Sequence, residues 1–192
     1  LSPESPPLTA PHLEAPDATR FDKLRAWAHA VAAQGEAAPG SGAKPWLLAG
    51  LKTREAVLQR TVVALRAGGS GQEALSQAAE WMLDNFYLAQ QSLRQIREDM
   101  PRGFYRQLPK LAVGPFQGYP RIYALAQELV ASSDARLDLE QVQRFIWLYQ
   151  DVRLLTTGEL WALPVMLRHS VLTVLTQTAV QITAHPGAPT AS

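Results

Sequence analysis

The chain has 192 residues, a net charge of +1, 47% hydrophobic and 18% charged residues, and no cysteine. That length allows one domain with a sizeable core, and so even a charge balance gives no whole-chain field for nucleic acid or an acidic membrane. The absence of cysteine excludes disulfides and thiolate metal sites, and no apolar run reaches the roughly 18 residues that a membrane helix needs.

Residues 1–18, LSPESPPLTAPHLEAPDA, hold five of the 14 prolines and read as a disordered leader or linker. They lack the basic-then-apolar pattern of a secretory signal. A helical domain is expected over 19–184 and a disordered tail over 185–192 (HPGAPTAS), ends that suggest a piece of something longer. The first helix is placed at Thr19–Gln34, with Phe21, Leu24, Trp27, Ala28 and Val31 on one stripe. GEAAPGSGAKP then reads as a flexible loop. A second helix runs from Trp46 to Ala67 and stops at AGGSG.

Ser70 and Glu73 have the spacing of a capping box for a third helix. Along it Leu75, Ala79, Met82, Phe86, Ala89, Leu93 and Ile96 alternate four and three apart, which is a bundle seam. Within that helix lies EWMLDNFYL, where Asp84 and Asn85 interrupt a good helical run. Both side chains compete for backbone hydrogen bonds and favour caps and turns over helix interiors.

Residues 99–120, DMPRGFYRQLPKLAVGPFQGYP, carry four prolines and three glycines, so no regular helix is expected there. Phe104, Tyr105, Leu108, Leu111, Phe116 and Tyr119 make the stretch too apolar to float free, and it is read as a packed irregular connection near 99–119. Pro120 suits the first position of a fourth helix ending near 132. Asp138 with Gln141 caps a fifth, to about Arg153, and Thr156 with Glu159 a sixth, to about Thr183, kinked at Pro164. No stretch alternates with period two, so the fold class is all-α, about six helices in an irregular bundle.

Candidate chemistry is sparse. Glu80 and Asp84 share a helix face, but such a pair is usually solvated or paired with arginine, and the four histidines are scattered. No metal site and no cofactor are expected. No serine sits in a strand–turn–helix elbow, and AGGSGQE has no preceding strand to make it a phosphate loop. From Arg94 to Lys110 the chain carries five basic residues, but Glu98 and Asp99 dilute them, so nucleic acid is not expected as a partner. QVQRF approximates the Gln-x-x-Arg-Trp pattern of processive sugar transferases, yet the aspartates those enzymes need at strand ends have no strands here.

Three blocks are specific: AEWMLDNFYLAQQSLRQIREDMPRGFYRQLPKLA, GYPRIYALAQELVASSDARLD and LTTGELWALPVMLRHSVL. Together they resemble the N-terminal region of cyclic β-1,2-glucan synthases, large bacterial inner-membrane glycosyltransferases, in register over about 75–175. The resemblance implies a parent activity that builds a β-1,2-glucan from UDP-glucose and cyclises it. It places this region as a helical segment on the cytoplasmic side of the membrane, ahead of the transferase domain. Tyr87 stands where the family pattern carries histidine, so no catalytic histidine is implied. By the same resemblance Asp84, Asn85, Arg102, Tyr105, Arg121, Glu159, Trp161 and Arg168 belong to the family's motifs. They are expected to form either a buried polar network or a sugar-contacting site, with no catalytic residue among them. The network reading has Asp84 accepting from Arg102, Arg121 or Arg168 and joined to Glu159. The expected partners are the rest of the membrane-bound synthase, with glucan as the alternative contact.

Overall fold

In the computed structural model, residues 15–36, 46–68, 77–133 and 137–184 are described. Among them the chain forms seven α-helices and one 3-10 turn and no strand. The helices are α1 (Ala15–Ala33), α2 (Leu51–Gly68), α3 (Gln77–Asp99), α4 (Arg102–Gln107), α5 (Arg121–Ser132), α6 (Leu139–Gln150) and α7 (Thr157–Ala184), with the 3-10 turn at Leu47–Gly50 leading into α2. The all-α reading is therefore correct. The first helix begins four residues before the expected Thr19, with Pro16 in its first turn, where a missing N–H costs nothing. The Ser70–Glu73 box, Leu75 and both chain ends lie outside the described residues.

The long α7 packs against α2, α3 and α5, and α2 lies on α3, while α1 pairs with α6. The α3 seam behaves as its spacing predicts: Ala79, Met82, Ala89, Leu93 and Ile96 are buried. They meet Ala162, Val165 and Met166 of α7 and Ile122, Leu125 and Leu129 of α5 in one continuous core. Each such fully buried leucine or isoleucine contributes about 2 kcal/mol relative to an exposed one. The α1–α6 pair is joined by Trp27 against Phe145, with ring centroids 5.9 Å apart. α7 runs unbroken through Pro164, which lies on its exposed side.

Three sequence expectations need correction. The proline-rich connection does contain a helix, α4, because Pro101 and Pro109 bracket residues 102–107 rather than interrupt them. Pro120 is the cap of α5 rather than its first residue, with ψ 136°, and the helix starts at Arg121. The rest of the connection satisfies much of its backbone by itself: Leu111 N donates to Tyr119 O (3.1 Å), Gly118 N to Leu111 O (2.9 Å) and Gln117 N to Gly114 O (3.0 Å). Positive φ at Gly114 (87°) and Gly118 (79°) makes these tight turns possible.

The supposed flexible loop after the first helix is ordered at its start. Gly35 O accepts from Ala112 N, and Glu36 forms an isolated antiparallel bridge with Leu111. The end of α1 is thereby fastened to the connection, which brings Glu36 to the site described next.

Candidate functional site

Arg121 is the first residue of α5, placed there by the cap at Pro120 and by its own N–H, which donates to Pro109 O at 2.8 Å. Glu159 is in the first turn of α7, where a carboxylate is favoured by the unpaired N–H groups of the helix start. The two meet although 38 residues apart, at 1% and 0% exposure. Arg121 Nε donates to Glu159 Oε1 at 2.9 Å and Nη2 to Oε2 at 2.6 Å, a two-pronged pair. Burial by itself would lower the Arg121 guanidinium, but hydrogen bonding and charge from Glu159 outweigh it and move its pKa up.

The surrounding groups close the site. Thr156 and Glu159 form the full reciprocal box: Glu159 N donates to Thr156 Oγ1 (3.2 Å), while Thr156 N donates to Glu159 Oε2 (2.9 Å). The Thr156 hydroxyl adds a third bond to Oε2 at 3.1 Å. Arg121 Nη2 also donates to Leu154 O (3.2 Å), and Nη1 to Glu36 Oε1 (3.4 Å), which in turn accepts from Arg153 Nη2 (2.6 Å). Two guanidinium groups and two carboxylates thus leave the cluster neutral. Beneath it the fully buried Tyr149 ring lies 5.8 Å from the Arg121 guanidinium carbon. Burial raises the Tyr149 hydroxyl, with Arg121 opposing.

Chemically this is a locked arrangement. A carboxylate with no solvent access that already accepts four hydrogen bonds has no lone pair aimed at a substrate. Among the described residues no group of three or more His, Asp or Glu side chains is placed to hold a metal.

The other motif residues do not join the cluster. Asp84 is exposed, and none of the three arginines expected to meet it does so. Arg121 is committed to Glu159, Arg168 Nη1 reaches Asp99 Oδ2 at 3.5 Å, and Arg102 lies 5.7 Å over the Trp46 ring. A solvated carboxylate needs no partner, so the helix tolerates Asp84 on its outer face. Asn85 is reconciled with its helix by donating Nδ2 to Trp81 O, one turn back, at 2.9 Å.

Tyr105 is core, edge-on to Trp46 with centroids 4.8 Å apart. Burial pushes its hydroxyl up to about 12. Trp161 follows Glu159 by two residues, about 200° around the helix, and is 77% exposed.

Sequence reasoning missed Glu36, Tyr149, Arg153 and the Leu154 carbonyl. Glu36 sits in a loop-like string and reaches Arg121 across 85 residues, so no local pattern marks it. It also missed that His169 is a core residue. Its imidazole is fully buried, edge-on to Tyr123 at 5.7 Å, with neither ring nitrogen hydrogen-bonded. Burial, with Arg54 nearby, lowers it to about 4.

No family model matches the chain. The cyclic β-(1,2)-glucan synthase NdvB of Rhizobium meliloti is 36% identical to it over 126 residues, which is 66% of this chain and 4% of that protein. The resemblance read from the three sequence blocks is thus confirmed, and it covers a small part of a much longer polypeptide. Among the described residues no helix is long and apolar enough to cross a membrane.

Proposed function

We propose that this chain is a non-catalytic helical module of a cyclic β-1,2-glucan synthase, acting on the cytoplasmic side of the membrane in docking, assembly or regulation of the enzyme. The observation that carries this reading is the closure of the Arg121–Glu159 cluster. The most chemistry-rich motif residues are buried and mutually bonded, so they set the shape of the domain and are not offered to a substrate. Likeness to 4% of a synthase fits a part that serves the remainder.

The test is complementation in trans. A synthase lacking the region that matches this chain is combined with the purified 192-residue chain and UDP-glucose. Neither component alone should make glucan, and the mixture should. Glucosyl transfer by the chain alone, or full activity of the shortened synthase, would overturn the reading.

A second reading, direct contact with glucan, has one observation in its favour. On α3, Trp81 (53% exposed) shares a helix face with the exposed carboxylate of Asp84 and with Leu88. An indole beside a free hydrogen-bond acceptor is a combination that suits a sugar ring. Quenching of tryptophan fluorescence by β-1,2-glucan, lost in Trp81→Phe, would favour it over the first.

A further inference from the structure

The even charge balance of the whole chain hides a local imbalance. Between Met100 and Gln127 stand four cations, Arg102, Arg106, Lys110 and Arg121, and no aspartate or glutamate. Arg121 is buried and neutralised by Glu159, which leaves the three cations of α4 and its exit. Arg102 and Arg106 are exposed and Lys110 is half-buried.

These three are neighbours in space as well as in sequence. Arg102 and Arg106 lie one turn apart on α4 and so share a face. The Arg102 guanidinium carbon is 5.7 Å over the Trp46 ring, which meets Tyr105 edge-on at 4.8 Å. Lys110 Nζ is 5.9 Å over that same Tyr105 ring and donates to Arg106 O at 3.4 Å. Two rings and a carbonyl thus hold Arg102 and Lys110 in place next to Arg106, whose side chain has no acidic partner among the described residues.

Acidic side chains that could cancel the patch are used elsewhere. Asp99 is reached by Arg168, Glu55 by Arg97, and Glu36 by Arg121 and Arg153. Glu98 is left, in the last turn of α3 before the break at Pro101, so the patch keeps a net positive charge. Like charges one turn apart repel, so the helix itself gains nothing from the arginine pair.

The exposed chemistry decides the occupant. Tyr105 is buried and Trp46 is taken up by Tyr105 and Arg102, so neither ring offers a platform for a base or a sugar. An acidic peptide is held by side-chain pockets or a strand edge as well as by charge, and no strand is present among the described residues. What α4 presents is charge alone, which suits a surface dense in negative charge. An anionic bilayer is such a surface, and each lysine or arginine beside it adds to binding.

We propose that Arg102, Arg106 and Lys110 form a contact for the headgroups of an anionic lipid surface. This rests on the placement beside the membrane proposed above and adds which face meets it. Three charges give a preference for anionic over neutral lipid on the order of a hundredfold. That is weak for a free protein, but it is enough to orient a module that its own polypeptide holds near the bilayer.

The 192-residue chain is floated with vesicles of phosphatidylcholine alone or mixed with phosphatidylglycerol. Binding to the mixed vesicles only, falling as salt is raised, is the expected result. Arg102→Gln/Arg106→Gln/Lys110→Gln should abolish it. Lys52→Gln/Arg60→Gln/Arg66→Gln, an equal charge change at exposed positions spread along about 21 Å of α2, should leave most of it. Arg106→Gln alone changes one exposed side chain and no ring contact, and should lose about fivefold. Arg102→Lys/Arg106→Lys keeps the charge and should keep the binding.

Equal losses in the two triple variants, equal binding to both vesicles, or binding to neither overturns the lipid contact. Tighter binding to polyglutamate or RNA than to vesicles of equal charge also overturns it and assigns the patch to another polyanion. Complementation that succeeds with a chain that floats with neither vesicle overturns the contact and leaves the docking function standing. Flotation with the mixed vesicles alongside failed complementation does the reverse.

Discussion

Removing the Glu159 carboxylate tests the cluster most directly. In Glu159→Ala the Arg121 guanidinium stays buried and loses both short bonds, keeping only Leu154 O at 3.2 Å and the half-exposed Glu36 at 3.4 Å. Breaking one side of a buried pair costs about 3–5 kcal/mol, and loss of the reciprocal cap at Thr156 adds about 1 kcal/mol. The expected loss is about 4 kcal/mol once Glu36 takes up part of the charge. That is a large share of the roughly 5–15 kcal/mol that keeps a domain folded. Urea unfolding followed by tryptophan fluorescence and far-ultraviolet circular dichroism measures it, with slopes compared to confirm one transition. Arg121→Met/Glu159→Leu leaves no charge unpaired and should be less destabilised than Glu159→Ala alone. Glu36→Gln, which alters only a part-exposed link, should cost less than about 1 kcal/mol. If the double variant loses as much as the two single changes together, or Glu159→Ala costs under about 1 kcal/mol, the two groups are not coupled as described.

Two further substitutions probe other parts of the chain. Gly114 has φ +87°, and a side chain there would meet Gln34 at 2.6 Å, so Gly114→Ala should cost about 1–2 kcal/mol, whereas Gly103→Ala, with open space around it, should be neutral or slightly stabilising; equal midpoints would refute the strain argument. His169 titrates at about 4 when folded and near 6.5 when unfolded, so the unfolded state binds the extra proton in that interval; stability should hold above about pH 7 and fall by roughly 3 kcal/mol as pH drops from 6.5 to 4, and His169→Phe should flatten that slope.

The helices were legible because their signals are local and redundant. The α3 seam, the Asp138 cap, whose Oδ1 accepts from Gln141 N at 2.7 Å, and the Thr156–Glu159 box each lie within a turn or two of chain. α4 was missed because counting prolines over 22 residues hides that Pro101 and Pro109 fall at its two ends. The site was half legible. Arg121 and Glu159, which only the family resemblance had put in one group, meet in the structure. Asp84, grouped with them by the same resemblance, lies apart on an exposed face of α3 beside Trp81 and Leu88. Periodicity separates the faces of a helix but does not say which one a neighbour will cover when the seam is flanked by aromatics.

The cluster also holds the turn that leads into α7, and that can be tested apart from stability. Well-packed apolar residues often replace a buried ion pair at little or no cost in folding free energy, so stability alone does not explain an arginine and a glutamate here. What methionine and leucine cannot supply is a donor for the Leu154 carbonyl or an acceptor for Thr156 N. Without those bonds the 151–156 turn loses the contacts that hold its backbone in one arrangement. Arg121→Met/Glu159→Leu should therefore keep most of the folding free energy yet bind the shortened synthase more weakly. Its 151–156 amides should exchange with deuterium faster than those of the parent chain, while the α3 amides stay protected. Parental binding together with faster exchange in the turn would separate the cluster from docking and leave it a purely internal brace.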